Sequence, residues 1–534
     1  MGVKSALRGV LERVESGFDA AFTPALNPLY QLGALGWFFY WIVAATGLYL
    51  YVFFDTGVEN AYVSVERITH VQWYAGGVMR SLHRYASDAL VLVVMLHLLR
   101  EYLLDRMRGA RWLAWFTGVP LLWLMFAAGL SGYWVVWDEL AQYVAVATTE
   151  WLDALPLFGE PIARNFLHPS MLSSRFFTLL VFIHIFVPLA MLFVMWIHIQ
   201  RLSRPRVNPP RLLALGTLGM LLAISIAWPA VSHPPADLAR VPGSLDLDWF
   251  YLFALPLQDH YPGLALWGVV GAATLLLLAA PWLPPLRRTP AAVVDLDNCN
   301  GCGRCVADCP FDAVTLRPRT DGTAFAEEAV VDPDTCVRCG LCVGACPSAT
   351  PFRRRSRLSP GIDLPELPVA ALREQVIEAA GAVEGPERIL VFGCRHGVAL
   401  DRVRETGTGV VALPCIGHLP PSFIDFLVTR GRVDGVLLTG CRDGDCHYRQ
   451  GIDWVDERIG GRRDPYLRAR VPRERVAWTW LGVDGAARLR ERIERFREEL
   501  RAAGPHRRVA VSSRGGAGSS DLPGAETGDR ESAH

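Results

Sequence analysis

Two stretches decide the fold of this chain: residues 80–100, RSLHRYASDALVLVVMLHLLR, and residues 184–198, HIFVPLAMLFVMWIH. Each is an apolar run that carries two histidines, and in both runs these histidines are 14 residues apart. An α-helix turns once every 3.6 residues, so this offset puts both imidazoles on one helix face, about 21 Å apart. Two such helices side by side predict two bis-histidine sites, one above the other.

Four histidines are therefore candidate axial ligands of two haems: His83, His97, His184 and His198. A neutral imidazole is a good ligand for haem iron, and a polar ring inside a membrane helix is costly unless it is used. The alternative is that each ring only hydrogen-bonds a neighbouring carbonyl group. Two other apolar runs carry glycines at the same 14-residue offset, namely Gly33 with Gly47 and Gly118 with Gly132. We interpret these glycines as slots for a flat macrocycle, with ordinary helix packing as the alternative.

Residues 33–199 resemble the N-terminal half of cytochrome b from the quinol-oxidising cytochrome bc complexes. The matching motifs are Arg80-Ser-Leu-His83, His97-Leu-Leu-Arg100, Arg175-Phe-Phe, and His184 followed four residues later by Pro188. The resemblance implies an outer haem shared by His83 and His184, and an inner haem shared by His97 and His198. It makes Arg80 and Arg100 candidate partners of the haem propionates. The alternative is that these side chains only extend from the helix ends towards water. It also implies a homodimer.

Six apolar stretches are predicted to span a membrane: 34–54, 82–104, 112–136, 174–200, 212–231 and 263–283. Each is near the roughly 20 residues that a bilayer core requires. Arginines follow the second, fourth and sixth stretches, whereas the other three loops are acidic. The positive-inside rule then places both termini on the cytoplasmic side of the inner membrane. Residues 3–22 read as an amphipathic helix on the inner membrane surface.

The loop after the fifth stretch contains Leu247-Asp-Trp-Phe-Tyr251. It resembles the Pro-Glu-Trp-Tyr signature of the outer quinol site in the same cytochrome b family, with Asp248 at the position of the glutamate that takes a proton. A carboxylate at the membrane edge can serve as a base near neutral pH. The alternative is an ordinary loop acid within an interfacial aromatic belt.

All twelve cysteines lie between residues 299 and 446. Eight form two runs, Cys299-x2-Cys302-x2-Cys305-x3-Cys309-Pro and Cys336-x2-Cys339-x2-Cys342-x3-Cys346-Pro, which is the bacterial two-cluster ferredoxin pattern. In that pattern each run gives its fourth cysteine to the other cluster. The first 4Fe-4S cluster would take Cys299, Cys302, Cys305 and Cys346, and the second Cys336, Cys339, Cys342 and Cys309.

The last four cysteines follow predicted strand ends in a region where short apolar strands alternate with helices: Cys394, Cys415, Cys441 and Cys446. The pattern predicts a small open parallel sheet, and the carboxyl ends of such strands gather ligands. Four thiolates suit one 2Fe-2S cluster, with zinc as the alternative. Residues 388–451 resemble the delta subunit of methyl-viologen-reducing hydrogenase, above all in Gly440-Cys-Arg-Asp-Gly-Asp-Cys-His-Tyr448. That resemblance implies a cytoplasmic flavoprotein partner of the heterodisulfide reductase A type.

The chain is accordingly predicted to have several domains, and its zero net charge gives no reason to expect a nucleic-acid partner. An amphipathic segment (1–33) precedes an all-α six-helix transmembrane haem bundle (34–290). An α+β two-cluster ferredoxin domain (291–352) and a linker (353–385) follow. A small α/β open-sheet iron–sulfur domain (386–503) and a disordered tail (504–534) complete the chain.

The order of these sites predicts a wire in which two haems cross the membrane, two 4Fe-4S clusters lie beneath them and the last cluster stands at the far end. We predict an electron-transfer subunit that links the quinone pool to the flavoprotein. Two alternatives stay open: a redox anchor or sensor without a quinone site, and a self-contained ferredoxin:quinone oxidoreductase.

Overall fold

The computed structural model describes residues 3–157, 159–167, 171–200, 206–241, 243–283, 289–353 and 358–504. The predicted disordered tail lies outside the described residues from residue 505 onward. Ten helices are found before residue 283 in the described part of the chain. They are α1 (Val3–Phe22), α2 (Leu32–Phe53), α3 (Ala61–Glu66), α4 (Val78–Leu103), α5 (Trp112–Val136), α6 (Glu139–Asp153), α7 (Arg164–Leu167), α8 (Ser174–Gln200), α9 (Arg211–Ala227) and α10 (Gly263–Ala279).

Five helical segments are long and apolar enough to cross a membrane: Leu32–Phe53, Trp73–Leu103, Trp112–Val136, Ser174–Gln200 and Gly263–Trp282. The second segment begins in π-helical turns ahead of α4. The predicted span 212–231 corresponds to α9, which has 17 residues and is shorter than these five. It ends at Ala227 because Trp228 leaves the helical conformation and Pro229 follows. The chain is a multi-pass membrane protein.

The membrane helices pack in two main pairs, α2 along α4 and α5 along α8. Each pair joins a helix that carries the 14-residue glycine offset to a helix that carries the 14-residue histidine offset. Outward-facing side chains of α8 are large and apolar, as Phe182, Phe193 and Trp196 are each more than half exposed. Such a surface suits contact with lipid rather than water.

The ferredoxin-like unit contains two short helices and two small antiparallel sheets. Its elements are β1 (Val293–Val294), α11 (Arg304–Asp308), β2 (Val314–Pro318), β3 (Glu327–Val331), α12 (Leu341–Ala345) and β4 (Ile362–Asp363), and β1 pairs with β4 while β2 pairs with β3. The segment predicted as a linker (353–385) therefore differs from that expectation. It contains β4, which completes the first sheet, and α13 (Val369–Gly381), whose residues Val369, Leu372 and Val376 are fully buried.

The C-terminal unit is a four-stranded parallel sheet with helices on its faces. Its elements are β5 (Ile389–Cys394), β6 (Thr408–Leu413), α14 (Pro421–Thr429), β7 (Gly435–Gly440), α15 (Gly451–Ile459), β8 (Val476–Trp480) and α16 (Ala486–Ala503). The strand order is β6-β5-β7-β8, with Val391 opposite both Val410 and Leu437. Strands β5 and β7 are buried along their whole length, which explains their continuous apolar sequence.

Candidate functional site

The outer histidine pair, His83 on α4 and His184 on α8, meets across the helix bundle. The two ring centroids are 6.4 Å apart. Two bonds of about 2.0 Å from imidazole nitrogens to one metal ion, plus two ring radii, span roughly 6.3 Å between centroids. The outer pair therefore has the separation that one shared metal ion requires. The inner pair, His97 and His198, lies on the same two helices, and the two rings interact electrostatically.

Backbone carbonyl groups fix the orientation of these rings. His83 Nδ1 lies 3.0 Å from the Val43 carbonyl oxygen, and His184 Nδ1 lies 3.1 Å from that of Ala128. A carbonyl oxygen only accepts hydrogen bonds, so Nδ1 carries the proton and Nε2 keeps its lone pair. An imidazole held in this way is ready to ligate iron through Nε2. The carbonyl bonds and the ligand role are thus compatible, although the sequence reading treated them as alternatives.

Three hydroxyl side chains that sequence reasoning missed support the same rings. Thr46 Oγ1 is 3.1 Å from His83 Nδ1, Thr117 Oγ1 is 3.1 Å from His198 Nδ1, and Ser131 Oγ is 3.3 Å from His184 Nδ1. Each hydroxyl residue immediately precedes one of the paired glycines. The Thr/Ser-Gly dipeptide was the signal that could have found them. Gly33 follows Leu32, so the inner site at His97 lacks this hydroxyl.

Each of the four paired glycines lies against one of the four histidines. A Cβ added at Gly47 would lie 3.0 Å from Cε1 of His83, and one added at Gly132 would lie 3.0 Å from Cε1 of His184. A Cβ at Gly33 would lie 3.5 Å from Cε1 of His97, and one at Gly118 would lie 3.5 Å from Cε1 of His198. The glycines thus leave room for the imidazoles themselves, and they do so more tightly at the outer site than at the inner one. Their predicted role as macrocycle slots stays a prediction.

The two arginines predicted near the haem propionates have partners within the chain. Arg80 donates to Thr69 Oγ1 at 2.5 Å and to Ser232 Oγ at 2.8 Å. Arg100, one turn beyond His97, is 4% exposed and pairs with Glu15 Oε1 at 2.8 Å. A second carboxylate, Asp445 Oδ2, lies 2.6 Å from Arg100 Nη2. Their role towards propionates stays a prediction, but Arg100 also connects three parts of the chain.

Asp248 lies beside the outer histidine site. Its carboxylate accepts from the Tyr133 hydroxyl and pairs with Arg84 Nη2 at 2.8 Å, and Arg84 directly follows His83. Tyr251, three residues later, packs its ring onto Gly129 and lies 2.6 Å from Ser87 Oγ. The loop is thereby fixed between α4 and α5.

A second carboxylate in this region, Asp88, was missed by sequence reasoning. Its Oδ2 is 3.3 Å from Arg84 Nε, and its buried Oδ1 has no hydrogen-bond partner. It lies one turn beyond Arg84 on α4, where a charged residue within an apolar run was the available signal.

The eight cysteines of the ferredoxin-like unit lie near the partners that the two predicted groups require, and the division into groups stays a prediction. The Cys305 thiol interacts electrostatically with its expected partners Cys299, Cys302 and Cys346. The Cys342 thiol interacts in the same way with its expected partners Cys309, Cys336 and Cys339, and also with Cys305 of the first group. A small cavity is lined by the four cysteines of this second group. Burial raises the pKa of the Cys339 thiol to about 12, so this donor set would ionise readily only around a cationic centre. The residues present therefore fit a pair of 4Fe-4S clusters.

The last four cysteines also converge. Cys394 Sγ and Cys441 Sγ are 3.8 Å apart, Cys394 also interacts with Cys415, and Cys441 with Cys446. Among the described residues, no group of three or more His, Cys, Asp or Glu side chains is already arranged to hold a single metal ion. The grouping accordingly rests on these contacts between sulfur atoms. They fit the predicted cluster, and the choice between 2Fe-2S and zinc stays open.

The sequence order put the C-terminal cysteine site at the far end of the electron path. In the structure, Asp445, which immediately precedes Cys446, is paired with Arg100 of α4, so the C-terminal domain contacts the membrane domain. The physical reason is that buried opposite charges bring the C-terminal domain back onto the membrane domain. Chain order carries no information about such contacts.

Comparisons with known proteins agree with this division of the chain. Residues 18–205 match the family described as Cytochrome b/b6/petB, residues 298–350 match the 4Fe-4S dicluster domain, and residues 404–504 match the delta subunit of methyl-viologen-reducing hydrogenase. Cytochrome b6 of Porphyra purpurea is 31% identical over 189 residues, which are 35% of this chain and 87% of that protein. The chain belongs to the cytochrome b/b6 family.

Among solved structures, a chain described as Hyperthermophilic respiratory Complex III is similar at 18% identity, with a TM-score of 0.39. That match covers 48% of this chain and 75% of the other. The three family matches confirm the predicted fusion of a cytochrome b, a two-cluster ferredoxin and a hydrogenase delta-like domain. The cytochrome b part implies haem b, and the dicluster domain implies iron–sulfur clusters. These matches support a role in electron transfer at a membrane.

Proposed function

We propose that this chain is the quinone-reactive subunit that carries electrons between the quinone pool and a cytoplasmic flavin and iron–sulfur protein of the heterodisulfide reductase A type. The observation that carries the proposal is the buried contact between Arg100 and Asp445. Arg100 lies one helical turn beyond the inner-haem ligand His97, and Asp445 adjoins Cys446. This contact brings the membrane domain and the C-terminal cysteine site together within one polypeptide.

Two b haems, two 4Fe-4S clusters and one 2Fe-2S cluster are the proposed cofactors, with zinc as the alternative at the last site. When bound, such groups accept and release single electrons. The chain's own residues orient the ligands of these groups and control the access of water. Val43 and Ala128 orient the imidazoles of the outer pair, and the four buried cysteines of the second ferredoxin site keep water away from that site.

Quinol is proposed to react at the outer side, near Asp248. Two contacts support this. Asp248 pairs with Arg84, which directly follows His83 in the sequence, and Tyr251 packs against Gly129, next to the Ala128 carbonyl that orients His184. A carboxylate close to the outer haem could receive a quinol proton as the electron leaves. The inner side, near the second haem, is the other place where quinone could bind.

The membrane orientation is proposed from charge and from α1. The loop after α4 carries Arg106, Arg108 and Arg111, which favours the cytoplasmic side. Helix α1 keeps Glu12 and Glu15 buried against the protein and leaves Val3, Val10 and other apolar residues exposed. A helix arranged in this way suits the inner membrane surface. With α9 counted as a sixth span, both termini and all iron–sulfur domains are cytoplasmic, and the cytochrome b part forms a homodimer.

Anaerobic addition of quinol to the purified holoprotein tests the quinone site. The b-haem optical band should rise, and Asp248→Asn should slow this rise by at least tenfold because the proton acceptor is lost (about 1.4 kcal/mol per tenfold). Asp246→Asn, an exposed acid two residues earlier, is the matched control and should keep the parent rate. Haems that stay oxidised with quinol but reduce with dithionite would contradict the proposal and favour a redox anchor.

A further inference from the structure

The loop between Cys441 and Cys446 is held to the cytoplasmic end of the membrane domain by buried charges. Asp445 pairs with Arg100 at 2.6 Å and with Arg106 at 2.7 Å. Asp445 thereby lies between two cationic side chains and offsets part of the positive charge of the loop that follows α4.

The same loop also contacts the N-terminal segment. Arg442 is 8% exposed, and its guanidinium lies 2.6 Å from Asp484 Oδ1 and donates to the Tyr30 hydroxyl at 2.7 Å. Gly444 has a φ of +75°, and a Cβ there would lie 2.9 Å from the Pro24 carbonyl oxygen, so the turn requires glycine for both conformation and space. Arg111, after α4, donates to the His447 carbonyl oxygen. The C-terminal cysteine site is thus fixed against the membrane domain from several sides.

The opposite side of this cysteine site contacts the second ferredoxin site. Cys415 and Cys339 belong to one buried apolar cluster, which also contains Leu341 and Trp454. Tyr448 packs against this cluster and interacts electrostatically with Cys339, Cys415 and Cys394. Arg458, only 1% exposed, joins the two domains by pairing with Asp308 and donating to the Gly417 carbonyl oxygen at 3.1 Å.

The first ferredoxin site is the one open to water. All twelve cysteines lie in the described part of the chain, and Cys302 of this site is the one that is exposed. It stands between Gly301 and Gly303, both with positive φ, so no neighbouring side chain covers it. Phe325 is 51% exposed in the adjacent hairpin, where Arg319 lies over its ring and donates to the Cys299 carbonyl oxygen.

From these contacts we propose that the cysteine site of the C-terminal domain lies between the inner histidine site and the ferredoxin pair, with the first ferredoxin site at the end that faces water. The order in space is then inner histidine pair, C-terminal site, second ferredoxin site and first ferredoxin site. This inference rests on the proposed function only in assuming that these four sites hold redox cofactors.

EPR relaxation by a dysprosium chelate, which stays in water, tests this order on the reduced holoprotein in lipid nanodiscs. The chelate should relax the 4Fe-4S signals several-fold more strongly than the signal of the C-terminal site. Equal or stronger relaxation of the C-terminal signal would overturn the proposal. The measurement needs no quinone, so its failure is distinct from failure of the proposed function.

Hydrogen–deuterium exchange on the same protein tests the contact of Asp445 with Arg100 and Arg106. This measurement works even if the C-terminal site holds a metal that gives no EPR signal. Asp445→Asn should increase exchange at least several-fold in residues 441–449, because Arg100 and Arg106 lose their buried counter-charge. Asp443→Asn, in the same loop but exposed, is the matched control and should leave exchange unchanged. Arg106→Gln, which retains the Arg100 pair, should give an intermediate increase. Equal exchange in Asp445→Asn and Asp443→Asn would overturn the proposal.

Discussion

At the scale of single residues, the outer and inner haem sites differ in how closely a glycine approaches the imidazole. A Cβ at Gly47 would be 3.0 Å from His83 Cε1, whereas one at Gly33 would be 3.5 Å from His97 Cε1. His83 cannot easily yield, because its Nδ1 is held by the Val43 carbonyl group. The outer site should therefore tolerate an added methyl group less well than the inner site.

We predict that Gly47→Ala lowers the haem content of the purified protein towards half, whereas Gly33→Ala retains both haems. The overpacking cost at Gly47 should be about 1–3 kcal/mol, since the ring must tilt away from its carbonyl partner. The haem-to-protein ratio and the reduced-minus-oxidised spectrum measure the outcome. Equal loss in the two variants would contradict this account of the glycines.

Asp363, which lies outside the membrane-spanning segments, is expected to make the free energy of unfolding depend on pH. Its carboxylate accepts hydrogen bonds from the backbone N–H groups of Leu364 and Val369 at the start of α13. Burial raises the pKa of Asp363 from 3.8 to about 6, and these N–H groups offset only part of the effect. Between these two values the folded state binds a proton that the unfolded state has released. The free energy of unfolding should therefore fall as the pH rises through this window and level off above it.

We predict that Asp363→Asn removes this fall, because the amide keeps an acceptor oxygen and carries no charge. Thermal unfolding of the full chain at pH 4, 5, 6 and 7 measures it. Asp401→Asn, whose side chain is 95% exposed in the parent, is the control and should keep the parent slope. An unchanged slope in Asp363→Asn would show that another group titrates.

The residues of the haem sites were predictable from the sequence to different degrees. The histidines and glycines share a 14-residue offset, which any helix converts into one face, so His83 and Gly47 could be found without a structure. Thr46 and Ser131 were harder to find. They precede the paired glycines, but hydroxyl residues in apolar helices usually bond their own backbone, as both of these also do. Asp88 was missed because its role depends on Arg84 and on the loop that contains Asp248.

At the scale of elements, two glycines set the contact between α12 of the ferredoxin unit and the turn after Cys415. A Cβ at Gly344 would lie 2.0 Å from the Gly417 carbonyl oxygen and 2.8 Å from Arg458 Nη1. The first of these atoms belongs to the backbone and cannot rotate away. Only a shift of one domain relative to the other could make room.

Gly344→Ala should consequently destabilise the contact between the two cysteine-containing domains by about 1–3 kcal/mol. Gly381→Ala is the control, because nothing lies within 4 Å of its added Cβ and alanine favours the helix α13. Thermal unfolding of the full chain and exchange rates in residues 416–418 measure the effect. A Gly344→Ala variant as stable as Gly381→Ala would contradict the proposed packing.

The elements themselves followed the sequence closely in some places and poorly in others. The apolar runs 388–392, 409–413, 435–439 and 476–481 predict four strands, and β5 to β8 lie within one or two residues of these positions, since each is a short apolar run bounded by turn residues. The expected linker contains β4 and α13 instead, because β4 is two residues long and is defined by its partner β1, far away in sequence. Helix α9 is shorter than expected because the apolar pattern continues past Ala227 while the backbone does not.

At the scale of the whole molecule, the sequence supplied the inventory of sites and the structure supplied their arrangement. The three families could be recognised from local motifs, which the comparisons confirm. Docking between domains depends on buried pairs such as Arg100 with Asp445, whose members are 345 residues apart and carry no motif. The protein is best described as a member of the cytochrome b family whose C-terminal cysteine-containing domain is folded back against the histidine-bearing helix α4.

The most direct test of this account is reoxidation of the iron–sulfur clusters by a quinone that partitions into the bilayer. The holoprotein in nanodiscs is reduced anaerobically with dithionite, freed of excess reductant and mixed with a quinone that partitions from water into the bilayer, and the cluster EPR signals are followed. Electron transfer from the clusters to quinone is thermodynamically favourable. The account therefore predicts that the cluster EPR signals disappear after mixing and that the optical band of the reduced haems decays with them. Cluster signals that persist as long as they do without quinone would contradict it.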